Sequence, residues 1–360
     1  MKILKSTKHE IPQARERYFP HLLMPAAFLA VCCGILLEAG INSCAKKENL
    51  ITSTEFMMDT IVEIKIPDTE DISPSERESA VKAAFAEMRR IYDKYNAHSS
   101  NSVISELNSS VSYKPDEETK KLFLYAVNIS SLSHGAFDAS IFALEEKIWR
   151  PILSGKSSHL PSQQEVREVL KSTGMRKIRI EDDTISKPRD VKLDFGAFVK
   201  GYAVDRAVEV LKNHNIRNAL VNAGGDLYCY GKKKWRIAIK HPRSDIRKKT
   251  YLGVITLSNT AAATSGDYER FVILDGKRYH HILNPATGFP ASDSISVTII
   301  APTCMEADAL STAVFVAGSG EGAKILERYN PDGKKAEGLI VDNNGKFFMT
   351  EGFGKFNLAF

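Results

Sequence analysis

The sequence predicts an α+β protein with largely antiparallel sheets flanked by helices. Helical spacing dominates up to about residue 213, strand-like runs broken by short turn signals fill 218–299, and helices return from 305. Strands grouped between helical ends suit an α+β fold better than alternating β-α units. No internal repeat or low-complexity linker divides the body, so it reads as one globular unit.

The elements follow in order. Residues 52–66, with Phe56, Ile61, Val62, Ile64 and Ile66, read as strand. Ser73-Pro74-Ser75-Glu76 is a capping box with proline at the first helical position. Behind it Val81, Ala84, Phe85, Met88, Ile91, Tyr92 and Tyr95 recur at helical spacing. Asp116 caps a helix to about residue 133, and Ser162 with Glu165 caps another over 163–173. Strands are expected near 176–181 and 190–194. A helix over about 197–213 carries Val204, Ala207, Val208 and Leu211 on one face. Turn signals at 222–226, 242–245 and 274–277 punctuate the strands that follow. Apolar helices are expected at 305–317 and 323–329, then a hairpin around Asn343-Asn344-Gly345.

Composition narrows the function classes. With 43% hydrophobic and 26% charged residues, most of the chain should fold as a soluble globular body. The net charge of +5 is spread along the chain without clustered aromatics, which argues against nucleic acid as a partner. Cys229 and Cys304 match no zinc spacing, and buried thiols are a better reading than a disulfide.

The N-terminus reads as a targeting segment. Lys2, Lys5, Lys8, Arg15 and Arg17 precede an uncharged apolar run over 22–37, short for a membrane-spanning helix but suited to a signal-peptide core. Ile41-Asn42-Ser43-Cys44 follows, a loose bacterial lipobox that would place a lipid on Cys44. The other reading is an uncleaved anchor with Cys44 incidental. Residues 1–44 are thus a signal peptide or membrane anchor, 45–54 a tether and 55–360 the working domain. Either way the expected location is the bacterial cell envelope, on the extracytoplasmic face of the inner membrane.

No serine nucleophile elbow, Walker loop, HExxH or GxGxxG is present. On a helix, Asp308 and Thr312 lie one turn apart with Ser311 beside them. A carboxylate among hydroxyls suits a hard cation such as Mg²⁺, although this spacing also occurs on ordinary solvated faces. The surrounding Ala307, Ala309, Leu310, Ala313, Val314 and Phe315 imply burial, and a buried aspartate needs a partner. In Leu193-Asp194-Phe195-Gly196-Ala197-Phe198-Val199-Lys200, a strand passes through glycine into a helix N-terminus, whose free N–H groups attract phosphate. Asp194 could bond a ring or ribose and Lys200 a phosphate; the alternative is a plain cap with a solvent-facing lysine. His281, at a polar turn before Ile282-Leu283-Asn284-Pro285, is the best candidate base.

Taken together these motifs resemble the FAD:protein FMN transferase (ApbE) family, from about Phe56 to the C-terminus. The pieces stand in family order: Met58-Asp59-Thr60, Ser102 to Asn108, Gly135-Ala136-Phe137-Asp138, Leu193 to Asp205, Asn222-Ala223-Gly224-Gly225-Asp226, Thr264-Ser265-Gly266-Asp267-Tyr268, His280 to Gly288, and Glu306 to Thr312. The resemblance implies a T-fold-like body. It implies an FAD site lined by Met58, Ala136, Phe137, Asp138, Asp194, Lys200 and Leu283, with His98 where an aromatic stacking residue often stands. It further implies Mg²⁺ held by Asp308 and Thr312, with the Ala197 carbonyl contributing and Ser311 nearby.

The implied reaction moves FMN from FAD to a threonine hydroxyl of an acceptor protein, such as an FMN-binding domain of a membrane redox complex, and releases AMP. His281 would act as base and Asp308 through the metal. Asp59, Phe198 and His98 depart from the family pattern, and Gly224-Gly225-Asp226 reads equally well as a simple hairpin turn. A metal-dependent FAD pyrophosphatase and a non-catalytic FAD-binding lipoprotein are the competing readings.

Overall fold

The computed structural model describes residues 2–3, 49–243 and 250–359. The lipobox with Cys44, nearly all of the leader and residues 45–48 of the expected tether lie outside the described residues, whereas 50–54 of that tether belong to the strand Leu50–Met57. Among those described, no helix is long and apolar enough to cross a membrane.

A nine-stranded sheet forms the centre. Its order is Lys2–Ile3, Phe347–Met349, Glu337–Asp342, Ser294–Ala301, Thr260–Gly266, Asp226–Tyr230, Ala219–Ala223, Thr60–Pro67 and Leu50–Met57. Every neighbouring pair is antiparallel, as the grouped strands predict. Helices Pro74–Tyr95, Val199–Asn213 and Cys304–Arg328 cover one face. The hairpin Trp235–Lys240/Tyr251–Leu257 and the turn Glu351–Phe356 cover the other. Ser294–Ala301 is therefore buried along its whole length: Val297 and Ile299 join the core beneath the helices, and Ile300 joins the core on the opposite face.

Both predicted capping boxes form, at Ser73/Glu76 and Ser162/Glu165, and Asp116 caps Glu117–Leu132. The two expected C-terminal helices run as Cys304–Arg328, interrupted at Gly318, which is non-helical at φ 74°. Cys229 and Cys304 are buried free thiols.

Two expectations are corrected. The run 52–66 is not one strand: the chain reverses at Met58 and Asp59, with φ of 54° and 57°, and pairs with itself. Two successive left-handed residues match the twist of a tight hairpin, and aspartate tolerates that conformation where glycine would be easier. Residues 190–194 form no strand and make only an isolated bridge between Lys192 and Ile141. The Asn108 side chain supplies the pairing there, donating to Leu193 O at 2.8 Å and accepting from Leu193 N at 2.7 Å.

Candidate functional site

The site is built where two helices begin side by side. Asp205, on helix Val199–Asn213, accepts from Cys304 N at 2.8 Å and Met305 N at 2.9 Å, so one helix caps the start of the other. Burial pushes the Asp205 carboxyl up to about 7 against those N–H groups. The approach depends on Gly201: a Cβ there would lie 2.3 Å from the Cys304 carbonyl oxygen.

That contact brings Asp308 beneath the first turn of the other helix. Gly201 N donates to Asp308 Oδ2 at 3.0 Å. Gly201 is the third residue of this helix, so its N–H belongs to the first turn and has no acceptor within the helix; Asp308 caps it. Ala197 stands just before the N-cap Phe198, and no backbone N–H among the described residues donates to its carbonyl. Ser311 Oγ donates to Asp308 O at 2.8 Å and shares a 2.7 Å hydrogen bond with Ser265 Oγ on the neighbouring strand. Thr312 Oγ1 lies 3.5 Å from the same Ser265 hydroxyl.

Lys200 does not face open solvent. Its ammonium pairs with Asp226, whose side chain is only 4% exposed. Burial pulls the Lys200 ammonium down, but Asp226 and Asp308 more than offset this and hold it above its ordinary value. Burial raises Asp226 while Lys200 opposes the rise. Asp308 is pushed well above the carboxylate range, first by burial and then by the charge of Asp226. Two buried carboxylates thus share one ammonium, and the surplus negative charge needs a proton or another cation.

This donor set fits a hard divalent ion. It combines a buried carboxylate in charge excess, a backbone carbonyl just before the helix start and two hydroxyls, all oxygen. Among the described residues no cluster of three or more His, Cys, Asp or Glu offers a competing metal site.

Of the remaining predicted residues, His281 lies within electrostatic reach of Lys200. His281 is half-buried, and its Nδ1 lies 3.3 Å from the Arg270 carbonyl. That contact assigns the proton to Nδ1 and leaves Nε2 as the lone-pair nitrogen. Burial, with the Arg270 charge, lowers the imidazole to about 3, so it is neutral at physiological pH. Asp194 accepts from Gly196 N at 2.8 Å, and burial followed by the charge of Glu145 raises its carboxyl. The backbone of Asp194 bonds Ala139 O at 2.8 Å, which joins the Leu193–Asp205 segment to Ala136, Phe137 and Asp138.

Phe137 and Leu283 are 1% and 2% exposed, so their side chains pack into cores. Asp138 uses its carboxylate locally, accepting from Ser140 N and Oγ and from Met175 N. His98 packs on Phe142 at 5.3 Å between ring centroids; its Nδ1 lies 2.7 Å from Arg150 Nη1 and its Nε2 3.5 Å from Glu145. Met58 sits on the hairpin whose Thr60 presses against Gly224 in the 222–226 turn.

Three members escaped sequence reasoning. Asp226 reads as a turn residue, Ser265 as one hydroxyl among many, and Gly201 as an ordinary helical glycine. For Asp226 a signal exists: it opens a strand whose alternate residues are apolar, which is an unusual place for an unpaired carboxylate.

Fold and site define an α+β protein with a cluster of buried charges where the starts of two helices meet. Comparison with known proteins makes the class specific: the chain belongs to the ApbE family, whose model matches residues 58–335. It is 27% identical over 321 residues to the FAD:protein FMN transferase of Treponema pallidum, covering 82% of this chain and 87% of that one. It is 29% identical over 313 residues to the Vibrio cholerae protein of the same name, covering 83% and 90%. Among solved structures, the ApbE protein of Thermotoga maritima superposes with a TM-score of 0.74 at 35% identity, covering 86% of this chain and 99% of that chain. The flavin transferase ApbE of Vibrio cholerae gives 0.73 at 25% identity, covering 86% and 99%.

Proposed function

We propose that this protein transfers FMN from FAD to a threonine hydroxyl of an acceptor protein and releases AMP. The observation that carries the reading is the Gly201–Asp308 contact, which sets a buried carboxylate against the first turn of helix Val199–Asn213. The names of the relatives support the same chemistry. Asp308, Thr312 and the Ala197 carbonyl would hold Mg²⁺, with Ser311 beside them. Bound there, the ion supplies positive charge against the FAD pyrophosphate.

The chain's own residues do the rest. The N-terminus of helix Val199–Asn213 and Lys200 attract the phosphates. His281, neutral and with Nε2 open, accepts the proton of the threonine hydroxyl. The threonine oxygen forms a bond to the FMN phosphorus, the bridging P–O bond breaks, and AMP departs with that bond's electron pair. Positioning and charge neutralisation supply most of the rate in such a displacement.

The acceptor would be an FMN-binding domain of a membrane redox complex. The basic, apolar and Cys44 segments of the leader support action at the extracytoplasmic face of the inner membrane, by lipid or helix anchor. The test is to incubate the full-length protein in detergent with FAD, Mg²⁺ and such a domain. Covalent fluorescent flavin on the domain, with AMP, is expected. FMN and AMP without label would make it a pyrophosphatase, and intact FAD a binding protein.

A further inference from the structure

The Lys200–Asp226 ion pair poses a question that the proposed reaction does not answer. A lysine meant for the pyrophosphate is spent on a carboxylate. The two ends of the pair differ in exposure: the Lys200 side chain is 30% exposed and that of Asp226 only 4%. The lysine side chain is thus partly reachable while its carboxylate partner is enclosed, and it sits on a flexible four-carbon stem. Its charged neighbours are Asp226 and Asp308, and it acts in turn on His281.

We propose that Lys200 is an exchangeable counter-ion: it neutralises the Asp226–Asp308 pair until a divalent cation binds there, and the displaced ammonium then turns to the FAD pyrophosphate. This rests on the FMN-transfer reading for its cation and its pyrophosphate. Asp226 is then a positioning residue, which parks the lysine and gives it up.

The physical ground is competition for one pair of carboxylates. Without metal, Lys200 is the only side-chain cation paired with either carboxylate among the described residues. Releasing it would leave the buried Asp226 carboxylate without its counter-charge. A divalent ion held by Asp308 would bring positive charge beside Asp226, lower that cost and repel the ammonium from where it lay. Incoming phosphates then offer it a new partner. Metal and dinucleotide should therefore bind cooperatively, with part of the coupling carried by Lys200 and equal in both directions.

The experiment measures FAD affinity rather than turnover. Full-length wild-type and Lys200→Met proteins are titrated with FAD, with and without saturating Mg²⁺, and flavin fluorescence is read on mixing before turnover. Exchange predicts that the substitution weakens FAD binding at least ~10-fold with Mg²⁺ but less than about threefold without it, within the usual range of site coupling. Equal losses in both conditions, or none in either, would overturn the exchange and leave the transfer reading standing. A wild-type chain that does not bind FAD at all would overturn both.

Asp226→Asn provides a second arm should Lys200→Met fold poorly. Weakening the parked state should tighten metal-free FAD binding by roughly threefold or more and shrink the Mg²⁺ effect. Metal-free affinity equal to or weaker than that of wild type would contradict the proposal.

Discussion

Gly201 and Asp308, 107 residues apart in sequence, meet through a backbone N–H donated to a buried carboxylate at 3.0 Å. The contact exists only because residue 201 has no side chain. In Gly201→Ala the new Cβ would fall 2.3 Å from the Cys304 carbonyl, so the helices must separate. Overpacking of this kind costs about 1–3 kcal/mol. The melting temperature should drop by several degrees, and FMN transfer should fall much further than stability accounts for. Unchanged activity would show that the close approach does not serve the site.

Asp308→Asn should separate function from stability. The amide can still accept from Gly201 but brings no charge to a metal. Loss of the metal's contribution, several kcal/mol, corresponds to a rate reduction on the order of 10³-fold. The wild-type carboxyl is raised in the folded state, so metal-free protein loses stability as pH rises from the unfolded carboxylate value toward the folded one. The asparagine variant lacks that loss and should melt no lower than wild type at pH 8 without metal. Calorimetry beside an FMN-transfer assay tests both halves, and full activity at low Mg²⁺ would remove the metal assignment.

His281 should not titrate near neutrality in the ligand-free protein. Burial and Arg270 hold it at about 3, so its ring proton resonances should be flat from pH 5.5 to 8. The sign for stability follows: the unfolded imidazole takes up a proton below ~6.5 while the folded one resists, so this contribution is present above that value and is lost as pH falls toward 3. His281→Ala should slow transfer by about 10²–10⁴-fold if the residue is the base. An NMR midpoint between 6 and 7 would contradict the burial argument.

These residues show what was legible in the sequence and what was not. Capping boxes, the Asn343-Asn344-Gly345 hairpin and the grouped strands were readable because each depends on neighbours within four residues or on a short period. Asp308 and Thr312 were readable because a single helix turn sets their spacing. The Met58-Asp59 reversal was obscured because aspartate stands where glycine would announce the turn. Asp226 and Gly201 were obscured for a different reason. What matters about them is another chain segment, Lys200 for one and Cys304 for the other, and no local spacing encodes that contact.

Anchoring is tested at Cys44. If lipidation holds the protein to the membrane, Cys44→Ser should change its partition from the detergent phase to the aqueous phase on cloud-point extraction. Retention in detergent would instead favour the apolar leader as an uncleaved anchor.

In the proposed reaction, Asp308, Thr312 and the Ala197 carbonyl would hold a divalent ion that supplies charge to the pyrophosphate of FAD. A crystal of the protein with FAD and Mn²⁺, read by anomalous scattering, tests it most directly. The account predicts a manganese peak coordinated by Asp308, Thr312 and the Ala197 carbonyl, in contact with the flavin nucleotide's phosphates. Bound FAD with no metal at those oxygens, or a metal remote from the phosphates, would contradict it.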